Sequence, residues 1–461
     1  MKIAIVGGGA AGLAAGYELG LNGHSVSVFE RSPFVGGQAS TFDIFGVPLE
    51  RGYHHLFTSD TDMIQLLTEI GLDDKLKWIS SSVGTLHDNK IYNFVSAIDL
   101  LLFKPLPFFD RIRLGLITLY LQRITNWKQF EKITAHEWLL KYSGTRIYET
   151  FWEPMLRGKF GEQYYKTISM TWIWGKIHTR FASRGKGFGG EKLGYPIDSF
   201  GEIFDRLAEK IVQSGGNVHT STSVSEILVS ENHVTGISTI PSPASWTSPQ
   251  PLEYQPSEGT EIESYQTSVS NFDQVIVTAP SYVIPKICNG LSDSYVKELQ
   301  SIEYLSAVVI ILVLRNPLSS VYWLNVADRT IPFVGIIEQT NFLSPGHYNG
   351  NHIVYITNYM EKNHPLYNLS HSELLDEYLP HLQKINKEFD KSWIIESYYH
   401  KVDAAQPLVG TNYSSKISDH RSPIKGMYLA NTTQIYPEDR GTNYSIRIGR
   451  NVARMLIDDH A

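Results

Sequence analysis

The chain of 461 residues contains a single cysteine, Cys288. One thiol excludes an internal disulfide and a cysteine-rich metal centre, and it suits a small buried residue in a cytoplasmic protein. No run of about 18 uninterrupted apolar residues occurs, so no membrane-crossing helix is expected. Positive charge is not in excess. Lys and Arg number 40 against 47 Asp and Glu, a net charge of −7. That balance disfavours nucleic acid as a partner. The sequence displays no nucleophile triad and no metal-ligating cluster, and no metal is expected. What remains is ordinary globular material, 42% hydrophobic and 19% charged, long enough for two domains. Aromatic residues, at 12%, suit a flat or greasy ligand.

What the chain does have stands at its start. Lys2 to Val6 is an apolar run of strand length, and Gly7-Gly8-Gly9-Ala10-Ala11-Gly12 follows in the pattern G-x-G-x-x-G. Leu13 to Leu21 reads as a helix, Gly23-His24 as a turn, and Ser25 to Glu30 alternates into a second strand. Gly7 permits the tight turn off the strand. Gly9 lets backbone approach a pyrophosphate, flanked by Ala10 and Ala11, and Gly12 lets the helix pack close to the sheet. The helix N-terminus offers unpaired N–H groups and a partial positive charge to phosphate. Glu30, 18 residues after Gly12, can accept bonds from both ribose hydroxyls of an adenosine, and an acid there repels a 2′-phosphate. The unit therefore predicts a dinucleotide site other than one for NADP.

Arg31 to Thr41 contains the pair Gly36-Gly37, which allows a backbone loop to lie against a ligand. A hairpin is expected over Thr41–Ile44 and Val47–Glu50, followed by Glu50-Arg51-Gly52-Tyr53-His54-His55. The start, the acid Glu30 and the Gly36-Gly37 loop resemble the FAD-binding half of the flavin amine oxidase superfamily, which includes protoporphyrinogen oxidases, carotenoid desaturases and amine oxidases. The resemblance implies that Glu30 binds the adenosine ribose and that Gly36-Gly37 lie by the pyrophosphate of an FAD. The family commonly has Arg after the Gly pair, where this chain has Gln38. That charge contact is then missing or supplied elsewhere, with Arg31 a candidate. The family also implies that Val224 meets the adenine through its backbone and that the strand ending in Thr278-Ala279-Pro280 returns to the nucleotide domain.

The end of the chain carries a second match. Gly426 to Ala430 reads as a strand, Asn431 to Gly441 as a loop and Thr442 to Leu456 as a helix. By resemblance, Thr442 and Asn443 begin a helix whose N–H groups and dipole stabilise negative charge on the flavin, while Asn431 and Thr432 contact the ribityl and phosphates. Aligning on Gly449 puts Gly441 where amine oxidases carry an aromatic cage residue, and this makes simple amine oxidation less apt. Arg440 either binds an anionic substrate or pairs with Glu438 or Asp439.

The middle matches more weakly. Phe109 to Ile124 reads as a helix, apolar nearly all round over Leu114 to Leu121. The favoured account is a buried helix of a helical cap. The sharper one is a peripheral membrane contact rimmed by Arg111, Arg113, Arg123, Lys128 and Lys132. Phe151 to Gly161 is similar to a family segment in which a proline-led turn joins substrate-domain helices. Arg157 and Lys159 lie in it, and Trp172, Trp174, Lys176, His178, Arg180, Arg184 and Lys186 follow. Cations interleaved with aromatics suggest an anionic, partly apolar ligand, against the plainer reading of surface charge and core tryptophans. Glu50, His54 and His55 are candidates for acid–base work, against the plainer reading of structural histidines.

The expected fold is α/β, with a discontinuous Rossmann-like FAD-binding domain of glutathione-reductase type over 1–80, 190–288 and 400–461. A mixed α+β substrate domain with a helical cap takes 81–189 and 289–399, and 240–271 is an insertion loop. The expected activity is that of an FAD-dependent oxidoreductase, oxidase or desaturase in type, removing hydride from a large hydrophobic or anionic small molecule, lipid-like in character. Oxygen, a quinone or another acceptor would reoxidise the cofactor. One alternative is a non-redox flavoenzyme resembling UDP-galactopyranose mutase, acting on a nucleotide sugar. The other is a flavoprotein whose binding role outweighs catalysis. The expected location is the cytoplasm, with a peripheral membrane contact as the variant, and the sequence leaves the oligomeric state open.

Overall fold

The computed structural model describes residues 1–182, 191–242 and 267–461. Its centre is a five-stranded parallel sheet in the order Asn217–His219, Ser25–Phe29, Lys2–Val6, Gln274–Val277, Met427–Leu429. The start, the middle and the end of the chain thus meet in one sheet. Strands buried on both faces need continuous apolar runs, and Ile3-Ala4-Ile5-Val6 supplies one. Ile3 and Ile5 face helices and pack with Leu13, Leu207 and Val452, whereas Ala4 and Val6 pack on the other side with Ile227, Val234 and Ile237. The helices on the first face are Ala10–Leu21, Ser199–Gln213 and Thr442–Asp458. The second face is covered by an antiparallel sheet of Thr222–Ser230, His233–Pro241 and Ser268–Asn271.

Those last two strands correct the expected insertion loop. Thr239 pairs with Ser268 and Gly236 with Asn271, so both ends of 240–271 are sheet, and only 243–266 falls outside the described residues. Ser268-Val269-Ser270-Asn271 is an exposed edge strand without an apolar face, which leaves no periodicity to read.

A second, seven-stranded mixed sheet has the order Ile394–Pro407, Tyr304–Leu314, His352–Met360, Gly335–Glu338, Trp323–Val326, Val83–His87, Lys90–Asn93. The Ile394–Pro407 strand runs unbroken through the expected boundary at 400. The helices between Ala97 and Ala182 enclose a third core around Trp152, Phe160 and Trp172. Here Phe151 to Gly161 does not form a proline-led turn. A π-helical turn over Tyr148–Trp152 leads directly into the helix Glu153–Tyr164, and Pro154 occupies its first turn, where a missing N–H costs nothing.

The helix Phe108–Arg123 is not buried. Only Leu114 and Leu121 are enclosed, while Phe109 is 81% and Leu116 61% exposed. Apolar residues on all sides of a helix predict burial on all sides, but the helices packed against this one leave Phe109, Ile112, Leu116 and Leu119 uncovered.

Candidate functional site

A candidate dinucleotide cradle forms where two glycine loops touch. Gly7 has φ +109°, and its N–H donates to the Phe29 carbonyl at 2.9 Å, turning the chain off the first strand. A Cβ on Gly12 would stand 2.0 Å from the Gly7 carbonyl oxygen. The second loop docks through the Gly36 N–H, which donates to the Gly8 carbonyl at 2.9 Å, and Gly36 bridges to Gly9. Gly36 and Gly37 both take positive φ, and a Cβ on Gly37 would meet the Gly9 Cα at 3.1 Å. At Gly9 itself a Cβ would find nothing nearer than 3.8 Å, so the space above it is open. Glu30 follows the second strand. Its carboxylate accepts from the Gly8 N–H at 2.8 Å and from the Ser32 N–H at 2.8 Å, so the glycine loop and the acid form one unit. Val224 stands beside them: Thr222 N–H donates to the Glu30 carbonyl, and Val224 packs in the core that holds Phe29.

Gln38 follows Gly37 on this second loop. Its amide donates to the Ala404 carbonyl at 3.0 Å. Arg31 interacts electrostatically with Asp403 and Tyr282, beside the same stretch of strand. Ala279 follows the fourth strand of the order, and its carbonyl accepts from the Asn431 amide at 3.1 Å. Asn431 commits its polar atoms within the protein, since its Oδ1 accepts from Thr433 N–H and Oγ1 and its backbone N–H donates to Gln434. It ties the loop before the last helix.

That last helix, Thr442–Asp458, starts at Gly441, and the first bond it makes is Ser445 N–H to the Gly441 carbonyl. The N–H groups of Thr442, Asn443 and Tyr444 therefore precede its hydrogen-bond ladder and carry its positive dipole end. Asn443 is buried. Its Oδ1 accepts from Met63 N–H at 2.9 Å, and its Nδ2 has no partner among the described residues. The helix is fixed along its length by ion pairs. Arg450 meets Glu18 and Glu69, and Arg447 meets Asp62 and Glu438.

The loop before this helix carries a cluster of charge. Asp439 pairs with Lys176 at 2.5 Å and accepts from the Gln406 amide at 3.2 Å. Arg440 donates to Gln406 Oε1 at 3.0 Å and to the Tyr359 hydroxyl at 3.0 Å. The Lys159 ammonium stands 4.0 Å from the Tyr359 ring centroid. Burial alone would push the Tyr359 phenol up, but the charges of Lys159 and Arg440 and hydrogen bonds from Tyr53 and Lys159 bring it down to about 7. Asp439 likewise overcomes burial through Lys176, Lys159 and Arg440 and is held well below the usual carboxylate range. Burial, helped by Arg440 and Lys176, lowers the Lys159 ammonium. Tyr53, Lys159, Tyr359, Asp439 and Arg440 all lie deep in the protein, yet each keeps accessible surface, as residues do on the wall of an interior space.

Tyr359 and Gln406 have no signal in the sequence beyond their strands. Arg157 and Lys159 are neighbours in sequence but not in role. Two residues apart on a helix they point to different sides, and Arg157 is spent on Glu153 and Glu162. Arg440 leaves Glu438 to Arg447. His54 Nδ1 lies 2.5 Å from the Gly52 carbonyl, and burial lowers its pKa to about 4. His55 Nδ1 meets the Tyr322 hydroxyl at 3.1 Å, and burial brings it to about 3. Both are neutral at pH 7 and hydrogen-bonded, which is the structural reading. Glu50 is buried and accepts from the Tyr195 hydroxyl and the Phe200 N–H, each at 2.8 Å, an anchor for the helix that follows. Arg184 and Lys186 lie outside the described residues.

The open cradle above Gly9, the unpaired Nδ2 of Asn443 and the accessible interior wall all fit a long dinucleotide cofactor. Such a fold and site fit a flavin-binding protein, and its cofactor is FAD. Residues 10–457 match the family model described as flavin containing amine oxidoreductase, and the chain belongs to that family. It is similar to a zeta-carotene desaturase of Zea mays, 36% identical over 77 residues, which is 16% of this chain and 14% of that enzyme. A 15-cis-phytoene desaturase of Synechococcus elongatus is 37% identical over 84 residues, 18% of each chain. The chain thus matches less than a fifth of the length of these curated relatives. Among solved structures, a putative protoporphyrinogen oxidase from Exiguobacterium sp. 255-15 has a TM-score of 0.74 at 16% identity, covering 99% of both chains. A reduced UDP-galactopyranose mutase has a TM-score of 0.72 at 16% identity, covering 99% of this chain and 95% of that one. At such identities the likeness is one of fold.

Proposed function

We propose that the chain is an oxidase or desaturase acting on a large, partly apolar substrate with an anionic group. The observation that carries this reading is the charge balance beside the last helix. The buried Lys159 and Arg440 and the partly exposed Lys176 face one carboxylate, Asp439. Uncompensated buried cations are costly, and a substrate anion offsets them. The aromatic faces of Tyr53 and Trp323, which keep accessible surface, suit an apolar body.

Bound FAD supplies the electron-accepting chemistry. Gly7, Gly9, Ala10, Ala11, Gly12, Glu30, Gly36 and Gly37 would hold its dinucleotide half, with Val224 and Ala279 beside them. Thr442 and Asn443 would offer N–H groups where negative charge develops. Arg440 and Lys159 bind and orient the substrate anion. The Tyr359 Oη, whose phenol the Lys159 and Arg440 charges pull below its ordinary value, holds or releases a proton. We assign 1–80, 190–288 and 400–461 to the cofactor part and 81–189 with 289–399 to the substrate part, the Ile394–Pro407 strand being shared. The single buried thiol supports a cytoplasmic location.

A second reading has the same cations bind the diphosphate of a nucleotide sugar in a non-redox reaction. Anaerobic spectrophotometry of the yellow holoprotein separates the two. A tetrapyrrole carboxylate or prenyl phosphate that bleaches the flavin absorbance supports the oxidoreductase reading. Turnover of a nucleotide sugar only after dithionite reduction supports the second. A protein that cannot be loaded with FAD overturns both.

A further inference from the structure

We propose that the hairpin of helices Ala97–Leu102 and Phe108–Arg123 lies flat on the surface of an anionic lipid bilayer. Phe109, Ile112, Leu116 and Leu119 are exposed among the described residues and recur at three- and four-residue intervals, so they form one stripe along the outer side of the helix. Leu102 and Phe108, 62% and 55% exposed, extend that stripe across the turn between the two helices. A monomer rarely leaves so much contiguous apolar surface in water.

The surface is preformed. Phe103 and Leu106 are fully buried in the connecting turn. The Arg111 guanidinium donates to the Leu101 and Leu106 carbonyls at 2.6 Å each, locking the two helices together. Little ordering remains to be done on docking.

Charge selects the occupant. Residues 97–146 hold eight Lys and Arg (104, 111, 113, 123, 128, 132, 141, 146) against four acids (99, 110, 131, 137). That segment carries +4 in a chain of net charge −7. A second copy of the chain would bring two cationic rims together, whereas anionic headgroups neutralise them. None of the described helices is long and apolar enough to cross a membrane, so the contact is a surface one. The hairpin also reaches the charged cluster through one neighbouring helix. Trp174 Nε1 donates to the Ile124 carbonyl at 2.7 Å, and His178 Nε2 lies 3.1 Å from the Leu121 carbonyl. Both belong to the helix Met170–Ala182, whose Lys176 pairs with Asp439.

The proposal stands apart from the substrate reading, and its test reads binding alone. The FAD-loaded full chain is sedimented with vesicles of phosphatidylcholine, with and without about 30% phosphatidylglycerol. The expected result is pelleting with the anionic vesicles, weakened in high salt. Phe109→Ser combined with Leu116→Ser lowers that partition at least about tenfold while flavin absorbance and melting temperature stay unchanged. Should the double variant fail to load FAD, Phe109→Trp serves instead, with brominated lipid quenching its emission more than that of the wild type. A wild-type protein that stays in the supernatant, serine substitutions without effect, or a tryptophan variant quenched no more than the wild type overturns the proposal. So does a wild-type dimer in light scattering that the serine pair converts to monomer.

Discussion

Gly449 lies against the carbonyl oxygen of Ala11, so close that a Cβ at Gly449 would stand 2.1 Å from it. The last helix of the chain therefore rests on the first turn of the first helix, at the residues of the proposed phosphate cradle. Gly449→Ala must push the two helices apart. Overpacking of this kind costs about 1–3 kcal/mol. The expected outcome is a lower melting temperature together with faster loss of FAD, read as the rise in free-flavin fluorescence. A variant that melts early but keeps its FAD would detach the contact from the cradle.

Glu30 shows the same coupling of structure and ligand. Its carboxylate holds the Gly8 and Ser32 N–H groups. Glu30→Ala leaves those donors without their acceptor, at a cost of about 1–3 kcal/mol, and removes the proposed ribose contact. FAD affinity should fall by at least about tenfold, measured by titrating apoprotein with FAD.

Tyr359 sets a pH dependence. Its phenol titrates at about 7, against an ordinary value of 10.0. The folded state then binds fewer protons than the unfolded state between these values, so stability rises with pH across that window and the gain is lost as pH falls through about 7. The cluster itself becomes less positive above that point, so an anionic substrate should bind more weakly, with KM rising. Tyr359→Phe removes both trends. A KM profile that keeps its rise in the phenylalanine variant would assign the titration to another group.

Lys159 and Arg157 form a matched pair for mutagenesis. Lys159→Met should lower kcat/KM for an anionic substrate at least about tenfold through loss of a charge-assisted contact. Arg157→Met breaks a largely buried tie to Glu153 and a tie to Glu162 and should lower the melting temperature, while kcat/KM per folded, FAD-loaded protein stays within about twofold. Equal losses in both variants would place the anion elsewhere.

These two lysine and arginine positions also mark where the sequence stops being legible. The opening βαβ unit is readable because it is a backbone requirement. Gly7, Gly12 and Gly36 stand where a side chain has no room or φ is positive, and only one residue type answers. The charged cluster is made of side chains from five separate segments, at 159, 176, 359, 406 and 439–440, and no local pattern links them. Lys159, Lys176, Asp439 and Arg440 attract notice by charge. Tyr359 is an ordinary aromatic in a strand, and a strand pattern does not say which face meets the site. His54 and His55 mislead for the opposite reason. Histidine suggests acid–base work, but burial leaves both neutral and bonded to Gly52 and Tyr322. The helix Phe108–Arg123 carries a pattern that says only that it is apolar, and whether neighbours cover each side of it is a matter of tertiary structure.

The parallel sheet has a consequence in time. Its first two strands leave the ribosome early, but Met427–Leu429 and the helix Thr442–Asp458 come last. Until they arrive, the Gln274–Val277 strand has a bare edge and the first helix lacks the partner that Gly449 provides. A nascent chain halted before residue 427 has the glycine loops but no closed cradle. The proposed cradle therefore closes only once the helix Thr442–Asp458 is in place against the first helix.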